Sequence, residues 1–363
     1  MIRFMPKILL VGFLLLPCAG WTQAIPPDPQ RAAGFMANSA AGLKVLQTWY
    51  VEETGLWNTT NWWNAANAIT VLADYSKLSD TPDFRAALAN TFERNSQKHF
   101  LNKYYDDEGW WALGWASAYE VTQDGRYLEM AEQIFADMAG GWDNTCGGGI
   151  WWSKDNHYKN AIANELFLSA AATLASLTQD ADKRAKYLDW AQREWKWFAA
   201  SGMVNPDNLV NDGLDSACHN NRGITWSYNQ GVILGGLTVL AKQSGDAEPR
   251  KAAQSIALAA IARLTDLEGI LHDPCEPARC GNDAPQFKGI FSRNLAVLNA
   301  AAPVPGFRAF LRRNAEIIWT NRDSDGRFGL VWSGPSNVKT AATQVSALDT
   351  LVSAAEAEGA AKK

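Results

Sequence analysis

Apolar residues recur three and four positions apart along most of this chain, the spacing that lines one face of a helix. It predicts helices at Ala65–Tyr75, Trp110–Glu120, Tyr127–Ala139, Ala161–Ser176, Ala185–Ala199, Tyr228–Lys242, Lys251–Leu264, Phe287–Ala300 and Phe307–Trp319, each rich in Ala and Leu. Few stretches alternate apolar and polar for more than four residues, as a half-buried strand would. The expected fold is all-α.

The polar stretches between these helices repeat. Lys77-Leu78-Ser79-Asp80-Thr81-Pro82-Asp83-Phe84 returns as Val121-Thr122-Gln123-Asp124-Gly125-Arg126-Tyr127, then as Leu177-Thr178-Gln179-Asp180 and Gln243-Ser244-Gly245-Asp246. Each reads as a turn that ends one helix and opens the next, at intervals of roughly 45–65 residues, the length of two helices with their loops. Helical hairpins repeated in a chain long enough for about six predict a closed (α/α)6 barrel, with an open superhelix as the alternative. In a closed ring the inner helices start at one rim, so motifs that precede them converge there.

The first residues do not fit this pattern. Arg3 and Lys7 flank the short apolar run Ile8–Leu16, and small residues follow, as in a secretory signal cleaved after Ala24, or alternatively near Ala19 or Gly20. Pro17 before Cys18 argues against a lipoprotein. The expected organisation is a signal peptide at 1–24 and a single (α/α)6 catalytic domain at 25–363. No later stretch reads as a membrane span, and Ala354–Lys363 is too small and charged for a hydrophobic anchor tail.

Composition narrows the function. The net charge is −5 with no basic run beyond the N-terminus, which argues against a nucleic-acid partner. Seventeen Trp residues suit a large core or stacking on sugar rings. Cys146, Cys218, Cys275 and Cys280 would remain after cleavage, an even number that favours disulfides in an exported chain. Three pairings are open; the preferred one closes a short Cys275–Cys280 loop and a long-range Cys146–Cys218 bridge. Asn58-Thr59-Thr60 is a glycosylation sequon.

The candidate chemistry lies in Tyr104-Tyr105-Asp106-Asp107-Glu108-Gly109-Trp110-Trp111. Consecutive carboxylates repel, and nearby rings disfavour ionisation further, so their proton affinities are driven apart. Glycoside hydrolysis needs one carboxylate and one carboxylic acid at a single bond, and flat rings suit the apolar faces of a sugar. The alternative is an acidic turn opening a helix, where the dipole favours anions. Other motifs exclude other chemistries. Gly147–Gly149 lacks the Lys and Ser/Thr of a phosphate loop, and Gly334 stands where a calcium loop needs its Glu. No His lies in a Gly-x-Ser-x-Gly esterase context. Asn64, Asn67, Asn160, Asn164, Asn229 and Gln230 fall at the starts of presumed inner helices, where sugar hydroxyls would serve as their partners.

Taken in order, Asn61-Trp62-Trp63 with Asn67, the Tyr104–Trp111 block, Cys146-Gly147-Gly148-Gly149-Ile150-Trp151-Trp152, Tyr158-Lys159-Asn160-Ala161-Ile162-Ala163-Asn164-Glu165 and Tyr228-Asn229-Gln230-Gly231 closely resemble glycoside hydrolase family 76. That family comprises endo-α-1,6-mannanases and fungal cell-wall relatives, and the resemblance covers roughly Asn61 to Trp332. It implies an (α/α)6 barrel and retaining hydrolysis of α-1,6-linked mannan, with Asp106 as nucleophile and Asp107 as general acid/base. Asn67 and Asp212 match positions that bind the sugar at the cleavage site. Trp63, Trp110, Trp111, Tyr158, Tyr228 and Asn229 are candidate sugar contacts by motif placement, and Glu108 is expected to cap or position the helix. No metal or organic cofactor is implied. The expected protein is a secreted monomer that acts on α-mannan or mannan-containing glycans. The alternative within the family is a cell-wall transglycosidase that moves mannose-containing anchor glycans onto wall glucan.

Overall fold

The computed structural model describes residues 26–278, 280–336 and 338–360; the expected signal segment at 1–24 lies outside the described residues. Among the described residues twelve α-helices form: α1 (Pro29–Gln47), α2 (Trp62–Ser79), α3 (Arg85–Asn95), α4 (Tyr105–Thr122), α5 (Gly125–Ala139), α6 (Ala161–Leu177), α7 (Ala181–Ala200), α8 (Ser227–Ser244), α9 (Glu248–Leu264), α10 (Phe287–Ala301), α11 (Phe307–Thr320) and α12 (Ala341–Ala357). A two-residue hairpin, Tyr50–Val51 with Leu56–Trp57, is the strand pairing beyond isolated bridges.

The even-numbered helices form an inner ring. Each packs on the next, and α12 closes on α2. The fold is the expected (α/α)6 barrel. Inner helices are apolar or small nearly all round, as full burial requires; in α12 every residue but Glu356 is buried. The outer helices α5, α7, α9 and α11 bury one face only. Close ring contacts need absent side chains: a Cβ on Gly289 of α10 would lie 2.4 Å from the Ser346 carbonyl of α12.

The repeated turns work as read. Asp80, Gln123 and Gly245 end α2, α4 and α8 in the left-handed conformation. Asp124 and Asp180 then cap α5 and α7, accepting hydrogen bonds from the first-turn amides. These tight turns all join an inner helix to an outer one, which leaves the long loops at the opposite rim, ahead of the inner helices.

Three helices lay beyond the periodicity: α1, α3 and α12. Small and polar residues dominate α12 (Ala341-Ala342-Thr343-Gln344), so its apolar stripe is faint. It is nevertheless the sixth inner helix, and α1 is its outer partner, so the ring closes through the N-terminal segment.

Candidate active site

Asp106 and Asp107 lie in the first turn of α4. Successive side chains in a helix project about 100° apart, so the backbone turns between the two carboxyls instead of sending them to opposite faces. The rim loop before α6 secures this turn, since Tyr105 N donates to Trp152 O at 2.9 Å. Trp152 Nε1 donates to Asp106 Oδ2 at 3.1 Å, while Asp106 Oδ1 is buried without a partner. Asn102 Nδ2 donates to Asp107 Oδ2 at 2.5 Å. Glu108, fully buried, in turn fixes Asn102 by accepting its backbone N–H at 3.1 Å, and it also binds Lys154 Nζ at 2.7 Å. Glu108 therefore positions Asn102 and does not cap α4.

Both carboxyls are weakened as acids. Burial, then the adjacent Asp107 carboxylate, pushes Asp106 up to about 8 against the Trp152 hydrogen bond. Burial raises Asp107 to about 6, with Asn102 opposing and the Asp283 charge assisting. Two carboxyls whose values are pushed apart in this way meet the condition an acid and a nucleophile at one bond require.

Beside the pair, Tyr158 OH donates to Asp212 Oδ2 at 2.7 Å and accepts from Asn221 Nδ2 at 2.7 Å. Burial raises the Asp212 carboxyl, opposed by that hydroxyl. The loop carrying Asp212 lies directly on the start of α6: Ala161 N donates to Asp212 O, and a Cβ on Gly213 would lie 2.6 Å from Tyr158 Oη and 2.8 Å from Lys159 O. The Tyr228 ring stacks on Phe287 at 3.8 Å, and its hydroxyl is held neutral by burial with Asp212 and Asp106 nearby. Asp106, Asp107, Tyr158, Asp212 and Tyr228 are thus half-buried groups on one rim.

The remaining expected residues lie beneath that rim. Trp63 stacks on Trp110 at 5.5 Å, both are buried, and Asp283 accepts from the Trp63 indole at 2.9 Å. Asn67 is held from both sides: its Oδ1 accepts from Arg293 Nη2 at 2.5 Å, and its Nδ2 donates to Trp63 O. Asn229 is fully buried beside the Asp212 carboxyl, which its side-chain amide helps keep ionised.

Two expectations are corrected. Trp111 is not a sugar contact: it is fully buried among Trp62, Phe100 and Trp115, on the side of α4 away from Trp110. Nor do four of the six helix-start amides await sugar hydroxyls. Asn64 bonds Asn61 N and Gln286, Asn160 caps α6, Asn164 pairs with Ile150 N and O, and Gln230 pairs with Val210 N and O. These side chains clamp rim loops onto inner helices, because loop backbone buried there needs partners.

The glycine run is likewise structural. Lys159 Nζ donates to Gly148 O at 2.7 Å and Gly149 O at 3.0 Å and pairs with Asp143. Cys146–Cys218 ties this loop to the one before α8, and Cys275–Cys280 closes the loop before α10, the preferred pairing. Among the described residues no three His, Cys, Asp or Glu side chains are grouped to hold a metal ion. Sequence reasoning missed Asn102 and Asp283 as site residues. Asp283 sits in a polar loop with no periodic signal and reaches the rim only through the ring's closure.

A ring of six helical hairpins with two adjacent carboxyls, both weakened as acids, on an aromatic-lined rim defines a carbohydrate-cleaving class of site. The sequence model of glycosyl hydrolase family 76 matches residues 35–362, and the chain belongs to that family. It is 28% identical over 269 residues to the mannan endo-1,6-alpha-mannosidase DFG5 of Candida albicans, covering 67% of this chain and 59% of that protein. To DCW1 of Saccharomyces cerevisiae it is 27% identical over 286 residues, covering 72% and 61%. The chain therefore spans about 60% of the length of these curated relatives. Its structure is similar to the GH76A alpha-1,6-mannanase of Salegentibacter sp. HEL1_6, with a TM-score of 0.78 and 26% identity over 89% of this chain and 99% of the other. An inactive variant of that mannanase, with two consecutive aspartates changed to alanine and alpha-1,6-mannotetrose bound, has a TM-score of 0.79 at 24% identity, covering 89% and 99%.

Proposed function

We propose that this protein is a secreted, retaining endo-α-1,6-mannanase and that Asp106 and Asp107 carry the reaction. The single observation behind this reading is the half-buried carboxyl pair at the start of α4. Asp106-Asp107 is the only consecutive aspartate pair in the sequence, and replacing such a pair inactivates the similar mannanase.

Asp106 attacks the anomeric carbon as the C–O bond breaks, and Asp107 gives its proton to the departing oxygen. Asp107 then takes a proton from water, which attacks the same carbon and releases Asp106. Before reaction, burial favours the shared proton on Asp106. The positive charge that develops on the anomeric carbon beside Asp106, together with the Trp152 indole, favours the Asp106 anion and leaves the proton on Asp107. Asp212, positioned by Tyr158, accepts from sugar hydroxyls at the cleavage site, and the Tyr228 ring flanks it.

Residues 1–24 act as the secretory signal and 25–363 as one catalytic domain. Two disulfides agree with export, and no described helix is long and apolar enough to cross a membrane. We read the protein as a monomer, since few large apolar residues are exposed among the described residues.

The test is product analysis on unbranched α-1,6-mannan, wild type beside Asp106→Asn, with and without added glucan. Short α-configured mannooligosaccharides from wild type alone are the expected result. Acceptor-dependent transfer without hydrolysis would overturn it.

A further inference from the structure

The inner helices enclose a cavity of about 790 Å³ on the far side of the catalytic floor, within the size range of small-molecule sites. Trp110, one turn below Asp106, contributes to its roof, and Glu120, roughly 15 Å further along α4 at 1.5 Å per residue, lies toward its mouth. Half-exposed Val297 and Lys77 also line it, so the opening faces away from the catalytic rim.

Two ion pairs lie in its walls. Lys77 pairs with Glu120 at 2.6 Å, and Arg293 Nη1 binds Asp349 Oδ2 at 3.1 Å. The other oxygen, Asp349 Oδ1, is buried without a hydrogen-bond partner, although the residue lines the cavity and is only 2% exposed. A buried acceptor left unpaired costs free energy, about 1–3 kcal/mol, that a donor from a ligand would recover. The walls carry both signs, Asp74 and Asp349 with Arg293, Lys242 and Arg250, so neither a cationic nor an anionic ligand is favoured. A neutral hydroxyl donor fits both constraints. Ser117 and Thr173 add hydroxyls to the walls, and Trp110 adds an indole.

We propose that this far cavity is a second binding site for a neutral polyhydroxylated ligand of monosaccharide size, anchored on Asp349 Oδ1. The site is separate from the catalytic groove and does not depend on the mannanase reading, because its occupancy is read independently of turnover.

The probe is free mannose. Crystals of wild type soaked in mannose are expected to contain a hexose with a hydroxyl on Asp349 Oδ1. In solution, Ser117→Trp and Thr173→Phe fill the cavity from two different walls. Each is expected to weaken this binding event at least tenfold, by calorimetric or NMR titration, while leaving mannan cleavage unchanged. Circular dichroism melts identify a variant that fails to fold, and the soak decides the matter should both fail. Only water on Asp349 at saturating mannose overturns the proposal, as does a hexose in the crystal with no binding in solution. Wild-type affinity in both folded variants overturns it as well.

Discussion

Trp152 and Asp106 meet across the rim with one hydrogen bond: the indole Nε1 reaches Asp106 Oδ2 at 3.1 Å, and the other carboxylate oxygen has no partner. The indole is the side-chain donor that orients this carboxyl, and it comes from a different loop. Trp152→Phe removes that donor but keeps the ring that packs 4.8 Å from Tyr104. A hydrogen bond to a charged group contributes about 1.5–3 kcal/mol, so kcat/KM on α-1,6-mannan should fall about 10- to 100-fold with the fold intact. Unchanged kinetics in a correctly folded variant would remove Trp152 from the site.

Activity should follow a bell-shaped pH curve. The reaction needs one proton on the pair, and the two carboxyls lie near about 6 and about 8. The acid limb of kcat/KM should lie near the lower value and the alkaline limb near the upper, both belonging to the pair and not to single residues. A rate independent of pH from 5 to 9 would contradict a shared proton.

Stability should respond to pH in the same region. Asp106 has a folded-state value of about 8 against an ordinary 3.8, so the folded protein binds this proton more tightly than the unfolded chain does. Its contribution is fully present below the unfolded value and is lost as pH rises toward 8. Asp106→Asn cannot lose it. The variant's Tm should therefore decline less than that of wild type between pH 5 and 9, alongside a loss of activity of at least about 10³-fold, as for removal of a nucleophile. Parallel melting curves across that range would count against the buried ionisation.

Neighbouring tryptophans should separate packing from binding. Trp111→Ala empties a fully buried site and is expected to cost about 3–5 kcal/mol, measured by denaturant unfolding, with KM for mannan nearly unchanged. Trp63→Ala should raise KM, because it removes the ring under the rim and leaves Asp283 without its indole donor. A large KM change from Trp111→Ala alone would reverse the placement of these two rings.

The Cys146–Cys218 bridge closes a loop of 72 residues between two rim segments. Replacing both cysteines by Ser should destabilise the protein by about 2–4 kcal/mol, read as a lowered denaturant midpoint. Glycosidase activity of the folded fraction should fall with it, since the bridge tethers the glycine loop leading to Trp152.

Local chemistry in the sequence is enough to determine much of this protein. The three- and four-residue spacing marks nine helices, because a helix facing a core must repeat its apolar residues at that period. Gln123-Asp124 and Gly245-Asp246 mark the tight turns, because a left-handed residue and a capping oxygen act within a few residues of one another. Asp106-Asp107 between aromatic pairs marks the chemistry, because adjacent carboxyls in apolar surroundings cannot both ionise freely. What the tertiary structure alone decides depends on residues distant in the chain. It sets Asp283 against Trp63, 220 positions away. It uses Asn164 and Gln230 as clamps for loop backbone, a role indistinguishable in sequence from sugar binding. It also divides Trp110 from Trp111, adjacent residues with the same chemistry: one residue step along a helix puts them about 100° apart, and only the position of α4 in the ring determines which face meets the lumen and which the core.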